Sequence, residues 1–235
     1  MDYSYLKANV ERVRERIKKA AEAAGRNPDE IMLLAAVKYA DSGEINYLHQ
    51  HCGIDHIGEN RVQQLMERWE SLDRCGLNVH FIGSLQRNKV KYIADKVSMI
   101  HSLDSEKLAA EIDRQAAKHN RMIDVLVEIN SGYEENKGGV LPEEAETLCR
   151  SLSQYPHIRL RGFMTMGPVC AGYEEYCKYF RATYDLIVDI WEKKLHNIER
   201  PFISMGMSES IEAAVACGST CVRVGRILFE KPDTT

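Results

Sequence analysis

The sequence predicts an α/β fold: a single closed (β/α)8 barrel of the TIM type with an extra helix at its N-terminus. Three observations carry that expectation. Short runs rich in β-branched residues alternate with helix-like stretches along the chain, the pattern of a parallel sheet. The runs number eight, with seven helices between them, in about 200 residues, the small end of the range for a closed barrel. No GxGxxG follows the first run, where an open dinucleotide-binding sheet would carry one.

The elements follow in order. Tyr3, Leu6, Val10, Val13, Ile17, Ala20 and Ala24 recur at steps of three and four and make one apolar stripe, so residues 1–25 form a helix. Gly25 stops it and Pro28 follows. On its outer face Arg12, Arg14, Lys18 and Lys19 are interleaved with Glu11 and Glu15, a solvated surface. The stripe suits either the barrel or a second chain; a monomer is the expectation. Strands are expected at 31–37, 54–58, 79–83, 98–101, 123–129, 158–163, 202–204 and 221–224. Helices are expected at 43–51, 60–72, 86–95, 105–119, 142–153, 173–195 and 208–216. The breaker-rich "NSGYEENKGGVLPEEA" (130–145) reads as a mouth loop after the fifth strand. No linker, repeat or low-complexity run divides the chain, so residues 1–235 read as one domain with the barrel at 31–229.

Composition narrows the function. The chain is 44% hydrophobic and 28% charged with a net charge of −4, which gives no reason to expect nucleic acid as a partner. No apolar run reaches the ~18 residues of a membrane span, and the charged N-terminal helix is not a signal peptide. Seven cysteines without a CxxC read as reduced thiols, hence a cytoplasmic protein.

In such a barrel the chemistry sits at the C-terminal ends of the strands. The first strand, "LLAAV", runs straight into Lys38. A lysine held among apolar neighbours loses its charge more easily and becomes a neutral amine that attacks a carbonyl. After strands seven and eight stand Gly206 with Ser208, a helix N-cap, and Gly225 with Arg226. Backbone amides there suit a phosphate; ordinary turn glycines are the other reading. Arg223, mid-strand between Val222 and Val224, needs a buried acceptor, which the ring nitrogen of pyridoxal 5′-phosphate would supply. Structural ion pairs of Lys38 and Arg223 with carboxylates are the plainer alternative.

The segments "GENRVQQL", "HFIGSLQRNK", "DSEKL", "RGFMTMGP" and "SMGMSESIEAAVACGSTCVRVG", in this order and spacing, resemble the pyridoxal phosphate homeostasis protein family, the YggS/PROSC group. The likeness runs from about Ile31 to Phe229. It implies a barrel similar to the N-terminal domain of alanine racemase, with pyridoxal 5′-phosphate held as a Schiff base on Lys38. It further implies Asn60 near the ring, Ser204, Met205 and the backbone at Gly225 and Arg226 on the phosphate, and Arg223 at the pyridine nitrogen. The implied role is intracellular homeostasis of the cofactor, as a carrier or buffer with little turnover, apo-enzymes being the recipients. Four positions depart from the family pattern. Val37 replaces a serine, Ala40 the second lysine, Ser84 a histidine, and Arg226 a phosphate-binding threonine.

Racemisation needs two bases, one on each face of the reacting carbon. Tyr39 follows Lys38 but points to the opposite face if the strand continues. The chain stops at Thr235, short of the second domain that brings a tyrosine in alanine racemase. A weak racemase is therefore one alternative; a Schiff-base aldolase using Glu59 or Glu128, and an interaction protein with a vestigial mouth, are others. "HQHCGIDH" (His49, His51, Cys52, His56) has the composition of a metal cluster without its geometry, so no metal is expected. Cys217 and Cys221 read as buried thiols, and His80 and His101 as satisfied polar groups. Lys137 reads as solvated, a second amine for the cofactor being the sharper alternative.

Overall fold

In the computed structural model, which describes residues 3–134, 136–195 and 199–231, eight parallel strands close into one barrel in chain order. They are β1 (Met32–Ala36), β2 (His56–Glu59), β3 (Asn78–Phe81), β4 (Met99–Leu103), β5 (Ile123–Ile129), β6 (Ile158–Thr165), β7 (Phe202–Ser204) and β8 (Cys221–Val224). Closure is made by β1 against β8, where Leu34 is level with Arg223. Such strands are covered on both faces, and their side chains sort by alternation. Ala35, Ile57, Phe81, Ile100, Leu103 and Val127 face the helical ring in one large core. Leu34, Ile82 and Cys221, and separately Met99, Leu126 and Met164, fill the inside of the barrel.

The ring is α2 (Ser42–Cys52), α3 (Val62–Arg68), α4 (Glu106–Lys118), α5 (Pro142–Ser151), α6 (Tyr173–Glu192) and α7 (Ile211–Ala216), preceded by α1 (Tyr5–Ala23). The stripe of α1 turns inward onto its own barrel, against α2 and α7, burying Leu6, Val10, Val13, Ile17 and Ala20. Ala21 completes it in place of Ala24, because the helix ends there: Gly25 takes φ +66° and the Arg26 amide donates to Ala21 O. Asn9, on the same buried face, donates to Leu228 O and Glu230 O at 3.0 and 2.9 Å.

Three expected elements change form. Residues 86–95 contain a 3-10 turn, Arg87–Tyr92, and the helix from 60 ends at Arg68 in a second one. The last helix starts at Ile211 with Ser210, not Ser208, at its N-cap. The cause is a reciprocal turn: Ser210 Oγ accepts the Met207 amide at 3.1 Å and Ser210 N–H returns to Met207 O at 2.9 Å. Residues 1–2 and 232–235 of the expected domain lie outside the described residues. No helix among those described is long and apolar enough to cross a membrane.

Candidate functional site at the C-terminal rim

Strand β1 ends at Ala36, and the Ala40 amide closes a tight turn onto Val37 O at 3.0 Å. Lys38 rides on this turn and is exposed, so the apolar enclosure expected around it is absent. The core strand does not end on a buried lysine; it ends at Ala36, and the lysine that follows is exposed. Tyr39 departs from expectation for the same reason. Extended geometry has stopped, and its ring lies 4.8 Å from Lys38 Nζ. The backbone beneath is held by α3: Arg68 donates to Val37 O at 3.0 Å and Gln64 to Lys38 O at 3.3 Å.

Arg68 also lies 3.1 Å from Glu59, which is fully buried. Gly58 points inward, since a Cβ there would meet Leu34 and Ile82, so Glu59 points outward to α3. It is therefore not an acid or base of the barrel mouth. Burial raises its carboxyl to about 7 against the opposing pull of Arg68.

The rim above β7 and β8 is lined with backbone donors. Among the described residues, the amides of Gly206, Ser208, Glu209, Gly225 and Arg226 have no protein acceptor. Gly225 packs on the β1 end, where a Cβ would stand 3.1 Å from Ala36 O. Gly206 has φ +95°, and a Cβ would come within 2.4 Å of the Ala214 Cβ. Gly206→Ala is expected to cost about 3 kcal/mol of stability in urea unfolding and to loosen anion binding at this rim. A fully stable alanine variant would show that the loop relaxes freely.

Two of the expected phosphate residues are not at this surface. Ser204 is completely buried, and its hydroxyl is engaged by Arg223 and His101. Met205 is equally buried and its amide donates to Cys221 O. The open groups belong to the next residues along. The Arg226 side chain, offered by sequence as a phosphate ligand, is paired with Glu209 across the rim, which leaves its amide open.

Arg223 lies under the rim, 4% exposed. Nη1 donates to Ser204 O and Ser204 Oγ, both at 2.7 Å, and Nη2 to Thr165 O at 2.9 Å. None of these acceptors is charged, and no carboxylate pairs with it among the described residues. Glu128 on β5 is the nearby anion. Burial and Asp104 raise it to about 7, partly countered by Arg223. Asn60, following inward-facing Gly58, carries a buried Oδ1 without a partner.

The sequence reading missed what lies inside. His56 Nδ1 stands 3.0 Å from His80 Nε2, His80 Nδ1 2.9 Å from His101 Nε2, and His101 Nδ1 3.1 Å from Ser204 Oγ. Inward alternation on β2, β3 and β4 was the available signal. Burial keeps these rings neutral: His80 is lowered to about 3, His101 well below the ordinary range, and His56 in the same direction.

The pH dependence of stability follows. The histidines bind protons more weakly folded than unfolded, so their contribution is present above pH 6.5 and lost as pH falls. Glu59 and Glu128 bind protons more tightly folded, so theirs is full below pH 4.5 and lost as pH rises through about 7. The two sets oppose each other between 6.5 and 4.5; below 4.5 the two glutamates are saturated, the histidines go on losing stability, and the carboxyls that Arg114, Lys193 and Arg16 hold low at Glu111, Glu146 and Glu212 add to the loss. Urea unfolding is expected to show stability falling steadily from pH 4.5 to 3.5, by about 1.4 kcal/mol for each inner ring that stays neutral, with the ion-paired carboxylates steepening the fall. A flat profile there would mean that His80 and His101 are charged in the folded protein.

The other singled-out residues do not converge on a site. His49 contacts Asp55 and Cys75 O, His51 packs on Tyr47, and His56 turns into the barrel. Burial pushes Cys217 up to about 11 and Cys221 to about 12, which makes both poor nucleophiles. Lys137 is paired with Glu134 and donates to Gly167 O at 3.3 Å.

Fold and rim together define a (β/α)8 barrel whose mouth carries a rim of open backbone amides, a buried arginine beneath it and an exposed lysine beside it. Comparison with known proteins agrees. The family model for the alanine racemase N-terminal domain matches residues 2–231. A pyridoxal phosphate homeostasis protein of Aquifex aeolicus is 42% identical over 94% of this chain and 95% of its own. Its counterpart in Pseudomonas aeruginosa is 33% identical over 98% and 97%. The structure of PipY from Synechococcus elongatus with pyridoxal phosphate bound superimposes with a TM-score of 0.78 at 28% identity, covering 92% of this chain and 100% of that one. The chain belongs to the pyridoxal phosphate homeostasis protein family, built on the alanine racemase N-terminal domain.

Proposed function

We propose that the barrel mouth holds pyridoxal 5′-phosphate and that the protein stores and releases it within the cell. The observation that carries this is the rim itself. Five unpartnered amides stand on the loops after β7 and β8, on the same rim as the exposed amine of Lys38. The amides of Gly206, Ser208, Glu209, Gly225 and Arg226 take the phosphate. Arg223, a buried cation whose hydrogen-bond acceptors among the described residues are all neutral, takes the ring nitrogen, and the orphaned Asn60 Oδ1 provides a further polar contact. When bound, the cofactor supplies an electrophilic aldehyde; Lys38 Nζ holds it covalently as a Schiff base. Lys38 is reachable from solvent, which suits loading and unloading better than a sealed catalytic lysine.

Little turnover is expected, because three candidate second bases among the described residues are not set opposite Lys38. Tyr39 shares its turn, Glu59 lies outside the barrel, and Glu128 is covered by Gly138 and Gly139. Lys137, tied to Glu134, stays a loop residue and not a second amine. Apo-enzymes that use the cofactor are the recipients, and the protein acts as a monomer in the cytoplasm. The test is a titration by visible absorption with pyridoxal phosphate and with pyridoxal. One equivalent of the phosphate form should bind at least about tenfold more tightly, a difference of about 1.4 kcal/mol. Equal affinity would remove the phosphate from the reading, and rapid alanine racemisation by the loaded protein would remove the carrier role.

A further inference from the structure

We propose that His56, His80 and His101 form a one-directional relay of neutral imidazoles. It fixes the Ser204 hydroxyl and, through it, Arg223, and its far end opens at the opposite end of the barrel. The three rings are positioning residues. The place of Arg223 beneath a cofactor rests on the function proposed above; the relay itself does not.

The argument is one of donors and acceptors. A neutral imidazole has one N–H and one bare nitrogen, and each ring–ring contact needs one of each. The two contacts, at 3.0 and 2.9 Å, therefore couple all three tautomers: setting one sets the others. Ser204 sets them. Its oxygen accepts from Arg223 at 2.7 Å, and its single proton needs an acceptor of its own. His101 Nδ1 at 3.1 Å is the strong acceptor, and the Cys221 thiol beside it the weak one. His101 then carries its proton on Nε2 and donates to His80 Nδ1. His80 likewise donates from Nε2 to His56 Nδ1. The guanidinium favours this polarity, since every donor points away from the cation.

The placement argues against three separately satisfied polar residues. His101 and His80 are 0% and 2% exposed inside a barrel whose apolar filling is Leu34, Ile82, Cys221, Met99, Leu126 and Met164. They stand on consecutive strands and end on the residue that grips Arg223. Neutral rings are also what the burial enforces. His56 is half-buried, and with its Nδ1 committed to His80 it leaves Nε2 at a cavity of about 750 Å³. Met32, Phe202 and Thr220 line that cavity from the strand N-termini, and Glu11, Arg14 and Lys18 from α1. The relay thus joins the cavity at the strand N-termini to the floor of the mouth.

The test is nitrogen NMR of histidine-labelled protein without cofactor at pH 7.5. All three rings should be neutral Nε2–H tautomers. An Nδ1–H tautomer or a charged ring at His80 or His101 would overturn the relay in the wild-type protein. His56→Phe, two rings from Ser204, should move the His101 signals toward a tautomer mixture and weaken pyridoxal phosphate binding about threefold. His56→Gln, whose amide oxygen can accept from His80, should restore both. An unmoved His101 in folded His56→Phe protein would reduce the histidines to packing. A wild-type protein with the expected tautomers but no cofactor affinity would sink the proposed function and leave the relay standing.

Discussion

Lys38→Ala protein is expected to fold as the wild type does and to lose all covalent uptake of pyridoxal phosphate. The two halves of that result have separate causes. Lys38 is exposed, and among the described residues its side chain meets the exposed Tyr39 ring, so stability should change by no more than about 0.5 kcal/mol. The turn that carries it is held through backbone carbonyls by Arg68 and Gln64, which alanine leaves in place. The rim amides also remain, so weak reversible binding through the phosphate should survive. Affinity should fall about a hundredfold, roughly 2.7 kcal/mol. Visible absorption after dialysis, with and without borohydride, measures the first effect and thermal unfolding the second. A borohydride-stable adduct on the alanine variant would place the attachment on another amine.

Arg223→Met should act in the opposite way, on stability as much as on binding. Three buried acceptors, Ser204 O, Ser204 Oγ and Thr165 O, lose their donor. An unpaired buried polar group costs about 1–3 kcal/mol. Removing a buried cation that has no carboxylate partner offsets part of this. A net loss of about 3 kcal/mol is expected in urea unfolding. Cofactor affinity should drop at least about tenfold, because the floor of the mouth has lost its charge. Arg223→Lys separates the contributions: it keeps the charge but lacks the fork that reaches Ser204 and Thr165 together, so it should recover only part of each. A methionine variant as stable and as retentive as the wild type would show that Arg223 neither supports the barrel nor meets the cofactor.

The fold was legible because its signals are local. Runs of β-branched residues located all eight strands and helix-like stretches six of the seven intervening helices, 86–95 being a 3-10 turn, and the stripe of α1 was wrong by one residue, where the Arg26–Ala21 bond ends the helix. The site was legible in kind more than in placement. Lys38, Arg223, Gly225 and the amide of Arg226 stand at the mouth or beneath it. Ser204 and Met205 sit one layer too deep, because the open loop begins only at Gly206. Whether Lys38 is enclosed depends on where β1 stops pairing, and "LLAAVK" contains no breaker to mark that point. The histidine relay was least legible. Each ring looks ordinary alone, and their meeting depends on the register between β2, β3 and β4, with Gly58 level with His80 and His80 with Met99.

The most direct test of the central claim is to load the wild-type protein with pyridoxal phosphate, reduce it with borohydride, digest it and map the labelled peptide. The expected result is close to one label per chain, on Lys38. Label on Lys137, label spread over surface lysines, or no label would contradict the assignment of Lys38 as the amine that holds the cofactor.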